Sequence, residues 1–115
     1  MAKVLGIHET ELRPGISGED FERFFQEKVA SMPLPSGWKQ YLLKGNRGNR
    51  AEKYLVIMEA DSVEVRDRIR PTPEHFSSEG QEWINAHKDV YEEWARLASS
   101  PADSQLFTDY EVISE

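Results

Sequence analysis

Polar and apolar residues alternate near both ends of this chain and in its middle, and recur at helical spacing in between. That succession predicts strand, helix, strand, strand, helix, strand. Residues 3–12, KVLGIHETEL, split into Leu5, Ile7, Glu9 and Glu11 against Val4, Gly6, His8, Thr10 and Leu12. Period 2 puts the two sets on opposite faces of a strand. Arg13-Pro14-Gly15 stops it, because Pro lacks a ladder donor and Gly permits a turn. Phe21, Phe24, Phe25 and Val29 then form a helical stripe, with Glu19, Glu22, Arg23 and Lys28 mainly off it. Ser17 and Asp20 make a variant capping box, and Ile16 and Phe21 a hydrophobic staple. Pro33 and Pro35 close this helix.

The segment from Trp38 to Asp61 reads as two apolar strands joined by the basic turn GNRGNR. Pairing Lys44 with Lys53 would set Leu42 against Leu55 and Leu43 against Tyr54. Tyr41, Val56 and Met58 would then share a face with Lys39, and Gln40, Ile57 and Glu59 the other. The run YLVIM is apolar on both faces, as in a central strand covered on both sides. A cap at Asp61 or Ser62 opens a short helix with Val63, Arg66 and Ile69 at its spacing, broken by Arg70-Pro71-Thr72-Pro73. Residues 71–78, PTPEHFSS, form a loop. Ser78 and Gln81 mark a second start, and Trp83, Ile84, His87, Val90, Tyr91, Trp94 and Leu97 trace one stripe to Ala98. This predicts a single helix about 30 Å long at 1.5 Å per residue. The polar link SSPADSQ leads to a closing strand in LFTDYEVIS.

At 115 residues the chain makes one domain, residues 1–115. A formal net charge of −7 repels phosphate, so neither nucleic acid nor an anionic membrane is expected as a partner. With no cysteine, disulfides, thiolate nucleophiles and Cys-based metal sites are excluded. No long uncharged apolar run and no apolar signal region is found, so a cytoplasmic protein is expected.

The residues with chemistry to offer are few. His87 lies on the helical stripe between Trp83 and Trp94, where imidazole can ligate iron or move a proton; a core histidine bonded to a carbonyl or Tyr fits the same position. His8 on strand 1 can polarise a substrate oxygen if its face lines a pocket. His75, beside Phe76, reads as a lid contact or as plain surface. Tyr41 and Tyr54 suit pocket walls or ordinary sheet packing. Trp83 and Trp94 can stack on a planar ligand, although core spacing accounts for both. Glu59 is a candidate base or the exposed end of a strand. The three histidines have no metal-ligand spacing, so no metal is expected. GNRGNR lacks the lysine, hydroxyl and strand-to-helix setting of a phosphate loop.

The element order is that of the ferredoxin-like fold, α+β with a four-stranded antiparallel sheet covered by helices on one face. HETELRPG, EDFERFF, YLVIMEADSVEVRDR, AHKDVYEEW and TDYEVI resemble one branch of it, the dimeric α+β barrel superfamily. That branch includes antibiotic-biosynthesis-monooxygenase-like proteins, stress-responsive barrel domains and haem-degrading monooxygenases. The resemblance implies a homodimer whose sheets join into a barrel, with a small-molecule pocket between sheet and helices in each protomer. It implies a cofactor-independent monooxygenase- or isomerase-like enzyme with His8 or His87 as base. The alternative is a non-catalytic, stress-associated binding module whose pocket is packed with side chains. Haem is the third reading. In haem-degrading members His87 would stand at the ligand position and His8 where an Asn is found, while the Trp position falls near Asp67 or Arg68.

Overall fold

In the computed structural model, residues 2–99 and 107–115 are described. Strand β1 spans Val4–Thr10, and helix α1 spans Gly18–Phe24 and widens to π geometry over Phe25–Val29. Strands β2, Trp38–Lys44, and β3, Tyr54–Ala60, follow. Helices α2, Val63–Ile69, α3, Ser78–Ala86, and α4, Lys88–Leu97, precede strand β4, Phe107–Glu111. Most of the polar link and Leu106, which opened the expected last strand, lie outside the described residues.

The sheet runs β2-β3-β1-β4 with every neighbour antiparallel. The protein is thus an α+β domain with a four-stranded antiparallel sheet, compatible with a ferredoxin-like fold. Helix α1 begins as expected: Ser17 accepts from the Asp20 N–H at 3.1 Å. Ser62 caps α2 through the Val65 N–H. For α3 the cap is Ser77 rather than Ser78, accepting from the Gly80 N–H at 3.1 Å.

The β2–β3 register differs by one residue from the sequence reading. Lys44 pairs with Tyr54, Leu43 with Leu55 and Leu42 with Val56. The cause is in the turn. Glu52 adopts a positive φ of 69°, and Gly45 and Lys53–Glu52 exchange backbone bonds of 2.8 Å, which consumes one more residue on the β3 side. A Cβ at Gly45 would collide with the Arg50 carbonyl, so the turn depends on that glycine. The slip reassigns whole faces. Trp38, Gln40 and Leu42 now stand beside Tyr54, Val56, Met58 and Ala60; Val4, Gly6, His8 and Thr10 continue that face on β1, and Phe107 and Asp109 complete it on β4.

This inner face meets the helices. Phe21, Phe24, Phe25 and Val29 pack with Tyr54, Val56, Trp94 and Ala98 in one buried cluster. Trp94 is edge-on to Phe21, Phe24 and Phe25 with centroids 5.7–6.4 Å apart. The outer face carries Leu5, Ile7, Leu55, Ile57, Tyr41, Leu43 and Tyr110. Tyr41, Leu43 and Tyr110 are 42%, 46% and 56% exposed. The double cover expected for YLVIM is therefore not supplied by this chain's described helices, although Ile57 on that face is buried.

The single helix expected over 79–98 is two helices. His87 breaks it with φ −120° and ψ 27°. Its Nδ1–H donates to the Trp83 carbonyl at 2.9 Å, the acceptor that the His87 backbone N–H would use in a continuous helix. That N–H turns instead to the Ile84 carbonyl at 3.0 Å.

Candidate functional site

Where the inner face of the sheet meets α2, α3, α4 and residues 71–77, a cavity of about 190 Å³ remains. Its walls are largely apolar and aromatic, and all three tryptophans of the chain, Trp38, Trp83 and Trp94, border it. An engineered cavity of about 150 Å³ accepts benzene, so this volume suits a molecule of one ring or similar bulk.

Polar groups cluster at the β1–β4 side. The alternation of β1 points His8 inward, and its ring lies on Phe107 with centroids 4.9 Å apart and planes 20° apart. Phe107 is in turn covered by the Arg70 guanidinium at 4.4 Å from its centroid, and Arg70 stands 4.6 Å from the Phe76 centroid. Arg70 also donates to the Pro73 carbonyl at 3.1 and 2.6 Å. Histidine, phenylalanine, arginine and phenylalanine thus form one continuous stack along the cavity's edge. Beside it, Arg66 pairs with Asp109 at 3.2 Å and with Asp67 at 3.0 Å. Asp109 sits opposite Gly6 on the adjacent strand, close to the His8 Nε2 side of that glycine.

Burial, reinforced by the Arg70 charge and opposed by Asp109, lowers the His8 pKa to about 4. At neutral pH this imidazole is uncharged, one nitrogen donating and the other accepting. It is deprotonated across the neutral range but weakly basic. It therefore suits polarising a substrate oxygen, or briefly holding a proton that is already acidic.

The structure brings together His8, Trp83 and Trp94 of the residues singled out from the sequence. His87 does not border the cavity; it is held by the Trp83 carbonyl and packs on the Trp83 ring at 4.8 Å. Tyr54 is buried, but its hydroxyl leaves the cavity and donates to Glu22. Tyr41 and Glu59 lie on the outer face, joined by a Tyr41 hydroxyl bond of 3.4 Å, with Lys3 3.9 Å from Glu59. His75 is exposed and bonded to Thr72 at 3.1 Å, while its neighbour Phe76 takes the place at the cavity wall. Sequence reasoning passed over Arg66, Arg70, Trp38, Phe107 and Asp109 as site residues. The usable signal was the spacing of Arg66, within a short helix, and Arg70, which caps its C-terminus; the β4 pair had none, because its register was unknown.

Among the described residues no group of three or more His, Asp or Glu side chains is placed to hold a metal ion. His87, which stands at the haem-ligand position in the resemblance, is turned away from this cavity with its Nδ1 bonded to the Trp83 carbonyl. Among the described residues no helix is long and apolar enough to cross a membrane. No protein-family model matches the chain, and no curated protein matches its sequence.

Proposed function

We propose that this protein binds a small molecule in the cavity between sheet and helices, and that His8 accepts or shares a proton there. The observation that carries this reading is the cavity itself: aromatic walls, with a neutral buried histidine at one side. A packed, non-catalytic module would fill that volume with side chains, so the open space favours binding. The reaction class is monooxygenase- or isomerase-like chemistry without a resident cofactor, in which the walls orient the substrate and His8 takes an acidified proton. The protein pairs with a second copy as dimeric α+β barrel proteins do. The exposed Tyr41, Leu43 and Tyr110 on the uncovered sheet face support that pairing.

Native mass spectrometry of the untreated protein, joined to a tryptophan-fluorescence screen of small aromatic and alicyclic compounds, tests the reading. Because all three tryptophans border the cavity, an occupant should shift the emission and add its mass. Turnover of a bound compound should fall at least about tenfold in His8→Phe, which keeps the stack on Phe107 but removes the nitrogens. A protein that retains and binds nothing across such a screen overturns it.

A further inference from the structure

Resting on the binding reading above, we infer the chemical class of the ligand: a small uncharged alcohol or phenol whose hydroxyl bridges His8 Nε2 and Asp109 Oδ1 over Gly6. Gly6 and His8 lie on β1 and Asp109 opposite Gly6 on β4, and all three border the cavity. The point that a Cβ of Gly6 would occupy lies 2.9 Å from Asp109 Oδ1 and 3.6 Å from His8 Nε2. One atom reaches that point from across the strand ladder and the other from along the same strand, so they stand roughly 4–5 Å apart. A single oxygen closes that span with two ordinary hydrogen bonds.

Both atoms are open to a ligand. Arg66 holds the other carboxylate oxygen, Oδ2, at 3.2 Å. No described residue bonds Oδ1 or the His8 ring nitrogens. Neither is sealed from the cavity: among the described residues, the side-chain polar atoms both inaccessible and unpartnered belong to Trp38, Arg50 and Trp94. A carboxylate oxygen only accepts, so its partner must donate, while a neutral imidazole offers one N–H and one acceptor nitrogen. A hydroxyl meets both demands from one atom, donating to Oδ1 and accepting from Nε2–H. Water can hold the place in the free protein, and a ligand hydroxyl displaces it without losing either bond. A ketone accepts from His8 but turns lone pairs toward Oδ1, and an anion does so with full charge. An ammonium can donate, but Arg66 already pairs the carboxylate, and at His8 the Arg70 charge outweighs that of Asp109.

Three probes on one skeleton separate these cases: α-methylbenzyl alcohol, acetophenone and α-methylbenzylammonium, titrated by tryptophan fluorescence with calorimetry as a second readout. The alcohol should bind roughly tenfold more tightly than the ketone, the scale of one hydrogen bond to a charged acceptor, and the ammonium more weakly than the alcohol. Asp109→Asn, which keeps the shape and removes the charge, should cut alcohol affinity roughly fivefold and spare the ketone. His8→Phe should weaken alcohol and ketone alike. Equal affinity for alcohol and ketone in the wild type, or preference for the ketone or the ammonium, overturns the ligand class while leaving the binding reading intact. Should none of the three bind, the cavity is not a binding site of this size and both inferences fall.

Discussion

Asp109 Oδ1 stands 2.9 Å from the point where a Cβ would extend from Gly6, its partner across β1 and β4. Absence of a side chain at position 6 is what lets the carboxylate lie over the strand, within reach of Arg66 and beside His8. Gly6→Ala should therefore push Asp109 aside and cost about 1 kcal/mol, by overpacking and loss of the Arg66 pair. In an Asp109→Ala background the same change should be neutral or slightly stabilising, because alanine lowers the entropy of the unfolded chain. Denaturant melts of the four variants would show the sign reversal; a Gly6→Ala cost unchanged by the second mutation would refute the relationship.

The His8 pKa has a definite consequence for stability against pH. In the folded protein it is lowered from 6.5 to about 4, mainly by burial. Between those values the unfolded chain binds a proton that the folded protein does not, so stability is intact above about 6.5 and declines as pH falls toward 4. The upper limit of the loss is about 3 kcal/mol, reduced by residual solvent contact. His8→Phe should flatten this part of the curve, and an NMR titration should place the His8 midpoint near 4. A midpoint near 6.5 would show the ring to be solvated.

Tyr54 carries the opposite sign. Burial and the Glu22 bond push its phenol up to about 12, while that bond and Lys44 hold the Glu22 carboxyl below its usual value. Above pH 10 the unfolded chain loses the phenolic proton first, so stability drops as pH rises from about 10 to 12. Ultraviolet difference titration should find one late-ionising tyrosine, and Glu22→Gln should bring it earlier. Four tyrosines ionising together would contradict the assignment.

His87 and Trp83 set the break between α3 and α4. Replacing His87 with alanine frees the Trp83 carbonyl for the backbone N–H four residues on, so α3 and α4 should become more continuous. Circular dichroism should register a small gain in helicity, and amide exchange at residue 87 should slow. Faster exchange through residues 84–91 would mean that the imidazole supports the helices instead of interrupting them. Added haem should give no Soret shift that His87→Ala removes.

The outer sheet face provides the test of self-association. Light scattering at micromolar concentration should give twice the mass of the 115-residue chain, and Leu43→Lys should shift it to the monomer without loss of fold. A monomeric wild type would remove the barrel pairing from the proposal and leave the cavity reading untouched.

Periodicity, caps and breakers by themselves determined the order of the strands and helical regions, the phenylalanine stripe of α1 and the division of β1 into two faces, though not which face carries His8 inward. Each depends on residues near one another in sequence, whose spacing already states which face they share. The tertiary structure alone decided the rest. The β2–β3 register turned on a positive φ at Glu52 that no apolar pattern announces, and its one-residue slip put Tyr41 on the same face as Glu59, the outer one. His87 read as a cavity residue because its spacing fits the helical stripe; a side-chain bond to Trp83 broke that helix and held the ring elsewhere. Asp109 and Phe107 joined His8 only through pairing between strands nearly a hundred residues apart, and Arg66 and Arg70 reached them from a helix connected to neither. Cavities arise where distant surfaces fail to fill the space between them. Local sequence constrains each surface, and only their packing decides the gap.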